Sequence, residues 1–347
     1  MKNNARWFGF WVIFLLGACS SESGQEAAAP EKAGPQSEVG AALPVVPGTE
    51  VVGAHRRAEL GKPSRETDPG RLSPERRLNL TVRHVMEYPT RVAKGPDGRF
   101  YISDAKVGSV FVLDAEMKKS LAEFKVGRPL GVAVDASGTV YVGQNGGTEV
   151  AAYGSAGEHL FTLNGFEMAN DLAVDPSDKL YVVDSKLNTL RVFAAGGAEL
   201  WTSTGPEGDG FSFPSSVALG RDGEVFVADQ GKARIVVLGA DGQVKRSFGQ
   251  PVEAFSSDWK GRFVKVQSLF VDAEGQLHAA DSYLNRVQIL NAETGEYLSH
   301  YGEFGAGAGQ LTLPLDVWVD EMGDAIVTNA ENGRLERFAS SRTRKGE

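Results

Sequence analysis

Asp171-Leu-Ala-Val-Asp175, Pro176-Ser-Asp178, Leu180-Tyr-Val-Val-Asp184 and Leu190-Arg-Val-Phe193 together decide the fold. The three apolar runs hold four or five residues each and are rich in Val, Leu, Tyr and Phe. They are too short for buried helices and are bounded by Asp, Pro and Ser, so they read as three strands joined by tight turns. The passage does not stand alone. Aligned windows begin at Pro89, Pro129, Ala169, Pro214, Val266 and Pro314. Nine residues in stands Gly98, Gly138, Asp178, Gly223, Gly275 or Gly323. Fifteen residues in stands Asp104, Gln144, Asp184, Asp229, Asp281 or Asn329. Twenty-four residues in stands Leu113, Tyr153, Phe193, Leu238, Leu290 or Phe338. No window needs a gap, and the spacings are 40, 40, 45, 52 and 48 residues. A period of that size is the mark of a repeat architecture.

A fourth strand follows the earlier windows, as at Leu121 to Val126 and Gln243 to Phe248. Four antiparallel strands per repeat make a propeller blade, so the fold class is all-β, a six-bladed β-propeller. The last window ends at Phe338, nine residues from the end of the sequence, and leaves no fourth strand there. The segment Leu80-Thr-Val-Arg-His-Val-Met86 stands where Ser120 to Val126 stands relative to the next window. It is expected to supply the outer strand of the last blade, closing the ring and covering an exposed edge.

Pro129-Leu-Gly-Val-Ala-Val-Asp135 resembles the NHL repeat, as do Val225-Phe-Val-Ala-Asp229 and Asp281-Ser-Tyr-Leu-Asn-Arg-Val-Gln-Ile-Leu290. The link Phe304-Gly-Ala-Gly-Ala-Gly-Gln-Leu-Thr-Leu-Pro314 looks like that family's glycine-rich connector. The resemblance covers residues 80–338 and is specific for fold. It carries little about activity, because the scaffold hosts enzymes and binding proteins alike.

The N-terminus reads differently. Lys2 and Arg6 precede a 12-residue apolar run, Trp7 to Ala18, which is short for a membrane span. Leu16-Gly-Ala-Cys19 resembles a bacterial lipobox, with Cys19 the lipidated (palmitate-bearing) residue after cleavage. Cys19 is the only cysteine, so neither an intrachain disulfide nor a thiolate cluster can form. The expected division is a signal peptide over 1–18, a lipidated cysteine and flexible linker over 19–77, a propeller over 78–338 and a short basic tail over 339–347. Ser20 lacks the acidic residue that commonly signals inner-membrane retention, which favours the outer membrane of a bacterial cell envelope. Loss of Lys2 and Arg6 moves the net charge from -9 to -11, and that balance argues against a nucleic-acid partner.

The repeat carboxylates Asp104, Asp184, Asp229 and Asp281 are expected to cap loops by accepting backbone N–H bonds rather than to form a metal ring. Asp135, Asp175, Asp272 and Asp320 are expected to open turns. Positions that vary between repeats are more informative. Arg91, Asn170, Asp171, Ser216, Gln267 and Asp316 fall where inner strands begin, so they should rim one mouth of the channel. They form the candidate small-ligand or cation site, the simplest alternative being a hydrated mouth with an Arg91–Asp316 ion pair. Arg234, Arg286 and Arg334 are expected to pair with loop carboxylates. His278 takes a position filled elsewhere by Tyr101, Tyr141, Tyr181, Phe226 and Ile326 and is expected in the core.

Related propeller enzymes imply testable signatures: three zinc-holding histidines in an amidating lyase, a ring-lining histidine in a streptogramin lyase, a Glu/Asn/Asp calcium set in a lactonase. The five histidines do not fall at channel positions, and Asn170 and Asp171 match only part of the calcium set. The long connection 250–265 carries Phe255, Trp259 and Phe263 among charges, a composition typical of interface centres. The expectation is a monomeric, membrane-anchored, extracytoplasmic scaffold that recognises an envelope protein through its loops, with no catalytic residues assigned and no cofactor. A lyase-like or lactonase-like enzyme with a metal-dependent channel-mouth site, and a small-ligand sensor, stay open as alternatives.

Overall fold

The computed structural model describes residues 73–74, 86–254 and 256–340. Cys19, the stretch expected as a signal peptide, most of the expected linker and residues 341–347 of the expected tail lie outside the described residues. The chain is an all-β propeller of six blades, each with four antiparallel strands. The inner strands are Pro89–Lys94, Pro129–Val134, Ala169–Val174, Pro214–Leu219, Val266–Val271 and Pro314–Val319. Each begins at the residue where its sequence window begins. The second strands end at Asp104, Gln144, Asp184, Asp229, Asp281 and Asn329, fifteen residues later as read from the repeat. Successive inner strands touch, and that of blade 6 touches that of blade 1, which closes the ring.

The period-two alternation of each strand is what builds the core. In blade 3, Leu180 and Val182 face blade 2, while Tyr181 and Val183 face blade 4. Six apolar clusters result, one between each pair of neighbouring blades. Emptying one Phe from such a cluster costs about 3–5 kcal/mol. The outer strands carry a bulge at a recurring place, opposite Val112/Leu113, Ala152/Tyr153, Val192/Phe193, Val237/Leu238 and Ile289/Leu290. Such bulges twist an edge away from further pairing.

The seam is made by a segment upstream of the first window, as the repeat count requires, but at a different place. Ser73–Pro74 pairs antiparallel with Arg334–Ala339, matching Ser73 to Ala339 and Pro74 to Phe338. This correction moves the closing strand out of the 80–86 segment and into the stretch read as linker. Residues 80–85 lie outside the described residues. Met86 is buried between the first and last blades, packed with Val92, Ile326 and Leu335. The apolar pattern that suggested a strand there therefore includes a seam-filling residue.

Candidate functional site: the central channel

Every inner strand slips register at its start, between Pro89/Arg91, Pro129/Val132, Ala169/Asp171, Pro214/Ser216, Val266/Ser268 and Pro314/Asp316. A bulge re-aims the side chains beside it. Here it sends the second side chain after the window start toward the next blade. Asp171 Oδ2 accepts the Val217 N–H at 3.1 Å, and Ser216 Oγ accepts the Leu269 N–H at 3.0 Å. Ser268 Oγ accepts the Val317 N–H at 3.3 Å, and Asp316 Oδ2 accepts the Val92 N–H at 2.7 Å. Four of the six junctions thus share one clasp. Blade 2 has Gly131 at this position, where a Cβ would meet Leu172 Cδ1 at 2.1 Å. Blade 1 has Arg91, which cannot accept a bond and does something else.

Arg91 lies across the axis. Its Nε donates to Asp171 Oδ1 at 3.1 Å, Nη2 to the Ser215 and Gln267 carbonyls at 3.0 and 3.1 Å, and Nη1 to the Leu315 carbonyl. One side chain of blade 1 therefore ties blades 3, 4, 5 and 6. Asn170 donates to the same Ser215 carbonyl at 3.1 Å. Arg91 is only 2% exposed. All six sequence-derived site residues do meet at one end of the channel. Five of them are buried and Gln267 is half-buried, so that they plug this end, and Arg91 pairs with Asp171 rather than with Asp316. The reach of a guanidinium across a narrow axis decides this, because it extends to Asp171 two blades on, while Asp316 is drawn to the Val92 N–H.

Asp316 is left with neutral donors, the Val92 N–H and the Ser268 hydroxyl. Its pKa is raised to about 7 by burial, with the Arg91 charge opposing the rise and the Asp171 charge adding to it. Two carboxylates and one guanidinium share this buried end.

Above the plug the six inner strands enclose a cavity of about 230 Å³. Aliphatic side chains, Val132, Val217 and Leu269 among them, alternate with polar surface along its walls, and Asp171 and Asp316 lie at its inner end. The cavity opens at the opposite face, past Lys94, Val134, Val174 and Trp318. Trp318 meets Phe100 edge-on with centroids 5.0 Å apart, and Lys94 Nζ stands 5.2 Å from the Trp318 ring. The channel is thus plugged at one end, lined by aliphatic side chains and polar surface, charged at its floor and open at one mouth.

The repeat carboxylates act as expected and reach further than expected. Asp104 accepts from the N–H groups of Lys106 and Val107 in the following loop, and from Glu87 and Tyr88 leading into its own blade. Asp184 and Asp281 repeat the pattern, while Asp229 binds Ser212 N–H and Arg234. Among the described residues, no group of three His, Cys, Asp or Glu side chains is placed to hold a metal ion. His278 is buried between Asp272 and Tyr301, while His159 and His300 stand on outer strands.

No known family profile matches the chain. A curated relative, peptidyl-glycine alpha-amidating monooxygenase B of Xenopus laevis, is 23% identical over 228 residues, which is 62% of this chain. The chain covers only 23% of that relative's length. Among solved structures, a gluconolactonase from Xanthomonas campestris superposes with TM-score 0.58 at 14% identity, covering 74% of this chain and 88% of that one. Hydrazine synthase of Kuenenia stuttgartiensis gives 0.57 at 13%, covering 74% and 97%. Virginiamycin B lyase of Staphylococcus aureus gives 0.52 at 10%, covering 74% and 86%. At these identities the likeness is one of fold.

The long connection 250–265 divides. Phe263 is wholly buried in the core between blades 4 and 5, so it supports the loop from beneath instead of facing a partner. Trp259 is half-buried, with the Arg286 guanidinium 3.9 Å from its ring centroid and the Tyr297 and His300 rings against its edge. Phe255 lies outside the described residues. Arg234 pairs with Asp229 and Asp209, and Arg334 with Glu336, whereas Arg286 takes Trp259. Sequence reasoning missed the open mouth. The signal was present four residues into each window, where Ala93, Ala133, Ala173 and Ala218 give way to Phe270 and Trp318.

Proposed function

We propose that this chain is a lipid-anchored, NHL-type recognition propeller of the bacterial cell envelope, held at the outer membrane through Cys19 and engaging a protein partner through one face. The observation that carries the reading is the asymmetry of the two faces. Eleven large apolar side chains are strongly exposed among the described residues. Leu187, Phe213, Val264, Tyr283 and Phe304 stand on the plugged face, while the opposite face has Met322 and the remainder lie on outer strands. Apolar groups gathered on one face of a polar disc mark interaction surfaces. Phe213 adds a second sign, since it is bulky, exposed and held at φ 50° with its N–H on Asn188. Strain of that kind concentrates at functional surfaces.

Photo-crosslinking in the producing cells tests this, with the reactive residue placed at Leu187, Phe213, Tyr283 or Phe304. A discrete protein adduct is expected from these positions and none from Met322. Adducts from Met322 alone, or from no position, would refute the partner face. Palmitate labelling that survives Cys19→Ser would refute the anchor. A second reading, an enzyme of the lyase or lactonase kind, draws on the likeness to the amidating monooxygenase. A stoichiometric divalent ion in the purified full-length chain would favour it.

A further inference from the structure

We propose that the blind channel binds a small organic cation, an alkylammonium whose head meets the Asp316 carboxylate at the floor and whose apolar body lies along the walls. The inference does not depend on the partner-face reading, because it concerns the opposite face. Three observations carry it. The cavity, about 230 Å³, is lined by aliphatic side chains from all six blades interleaved with polar surface, and Asp171 and Asp316 lie at its plugged end. Its size suits a ligand smaller than the usual occupant of pockets that run from about 300 Å³ upward.

The floor is unbalanced. Arg91 contacts Asp171 at 3.1 Å and gives its remaining N–H groups to carbonyls. Asp316 lines the cavity, is 7% exposed and has no cation within ion-pair distance among the described residues. A buried carboxylate without a counter-charge takes up either a proton or a cation. The raised pKa of Asp316 is the proton-bound form of the same imbalance. An ammonium arriving from the open mouth supplies the missing charge without displacing the Val92 N–H or the Ser268 hydroxyl.

The approach favours the same sign. The six turns around the mouth, 95–99, 135–139, 175–179, 220–224, 272–275 and 320–324, carry eleven carboxylates; Asp97, Glu224 and Asp324 pair with Arg99, Arg246 and Arg337, and the other eight outnumber Lys179 and Arg221. Such a rim concentrates cations at the entrance. Lys94 is the one cation lining the cavity, and it stands over the Phe100 and Trp318 rings at 5.6 and 5.2 Å. It therefore sits to one side of the mouth, at the end remote from Asp316.

The test is calorimetric titration of the full-length chain with methyl- to hexylammonium chloride at pH 7, in two buffers of different ionisation enthalpy. Saturable binding is expected, tightening with chain length until the cavity is full, with proton release on binding. The matched alcohols and carboxylates should bind at least about tenfold more weakly, a factor worth ~1.4 kcal/mol. Asp316→Asn keeps an acceptor for the Val92 N–H and should weaken binding by tenfold or more while the protein stays folded. Val174→Trp narrows the mouth without touching the floor and should also abolish binding, so the idea stays testable if the first variant is unstable. Four results would overturn it: no saturable binding of any alkylammonium, equal binding of the alcohols or carboxylates, unchanged affinity in Asp316→Asn, or competition by sodium or potassium at the same concentrations.

Discussion

Replacing Arg91 with Met should destabilise the propeller strongly, and in a pH-dependent way. Met fills much of the same volume but removes the charge. Asp171 then loses its 3.1 Å ion pair, and the carbonyls of Ser215, Gln267 and Leu315 lose their donors. Removing one partner of a buried pair costs about 3–5 kcal/mol, chiefly because the other charge stays buried. In a domain of this size that is on the order of 10 °C in melting temperature. The loss should be largest near pH 8, where Asp316 is ionised and has lost the opposing Arg91 charge. It should shrink toward pH 5 as Asp316 takes up a proton. Adding Asp171→Asn to Arg91→Met should restore part of the stability, giving a coupling of about 1–3 kcal/mol. Chemical unfolding at three pH values measures all of this. A deficit below about 1 kcal/mol at pH 8, or one that does not shrink on acidification, would refute the account of Arg91 as the charge that makes the plug possible.

Other outcomes follow from the same geometry. The Asp316 pKa is raised to about 7, so the folded state holds that proton more tightly than the unfolded chain does, and the stabilisation it gives is complete below about pH 4 and lost as pH rises through 7. Asp316→Asn should therefore gain on wild type between pH 5 and 7 by up to about 2–3 kcal/mol and level off above, as read by melting temperature. Phe263→Ala should cost about 3–5 kcal/mol because the ring is wholly buried. Trp259→Ala should cost only about 1–2 kcal/mol, the worth of its Arg286 and aromatic contacts, with the near-ultraviolet spectrum otherwise preserved. Asp184→Ala should cost about 3 kcal/mol or more, since its carboxylate serves N–H groups on two separate segments, and hydrogen exchange at Glu167 and Leu187 should report the loss.

The blades were legible because each strand repeats one apolar alternation and each turn one residue type. Fixed spacing from Pro89 to Asp104 to Leu113 reads out as three strand boundaries. The capping role of the repeat Asp residues was legible for the same reason, since a carboxylate after a strand has backbone donors within reach. Gathering of the site residues at one channel end was legible from their equivalent positions. Their bonding was not. Equivalent positions give angular order around the axis but not radial reach, and a long Arg side chain crosses the axis to a blade two places on. The closing strand was misplaced because a two-residue pairing at Ser73–Pro74 leaves almost no pattern. Met86, buried at the seam, supplied a stronger apolar signal nearby.

The pairing of Ser73–Pro74 with the last strand also has a mechanical meaning. Ser73–Pro74 forms the outer edge of the blade that closes the ring. A pull transmitted along the N-terminal portion reaches the ring first at Ala339 and Phe338, the partners of that short strand. Load from that direction is therefore borne by the seam before any other blade junction. Peeling two residue pairs exposes the edge of the sixth blade while Arg91 still grips blades 3 to 6 from within. The two-residue pairing at the seam and the Arg91 tie are thus separate closures of the same ring.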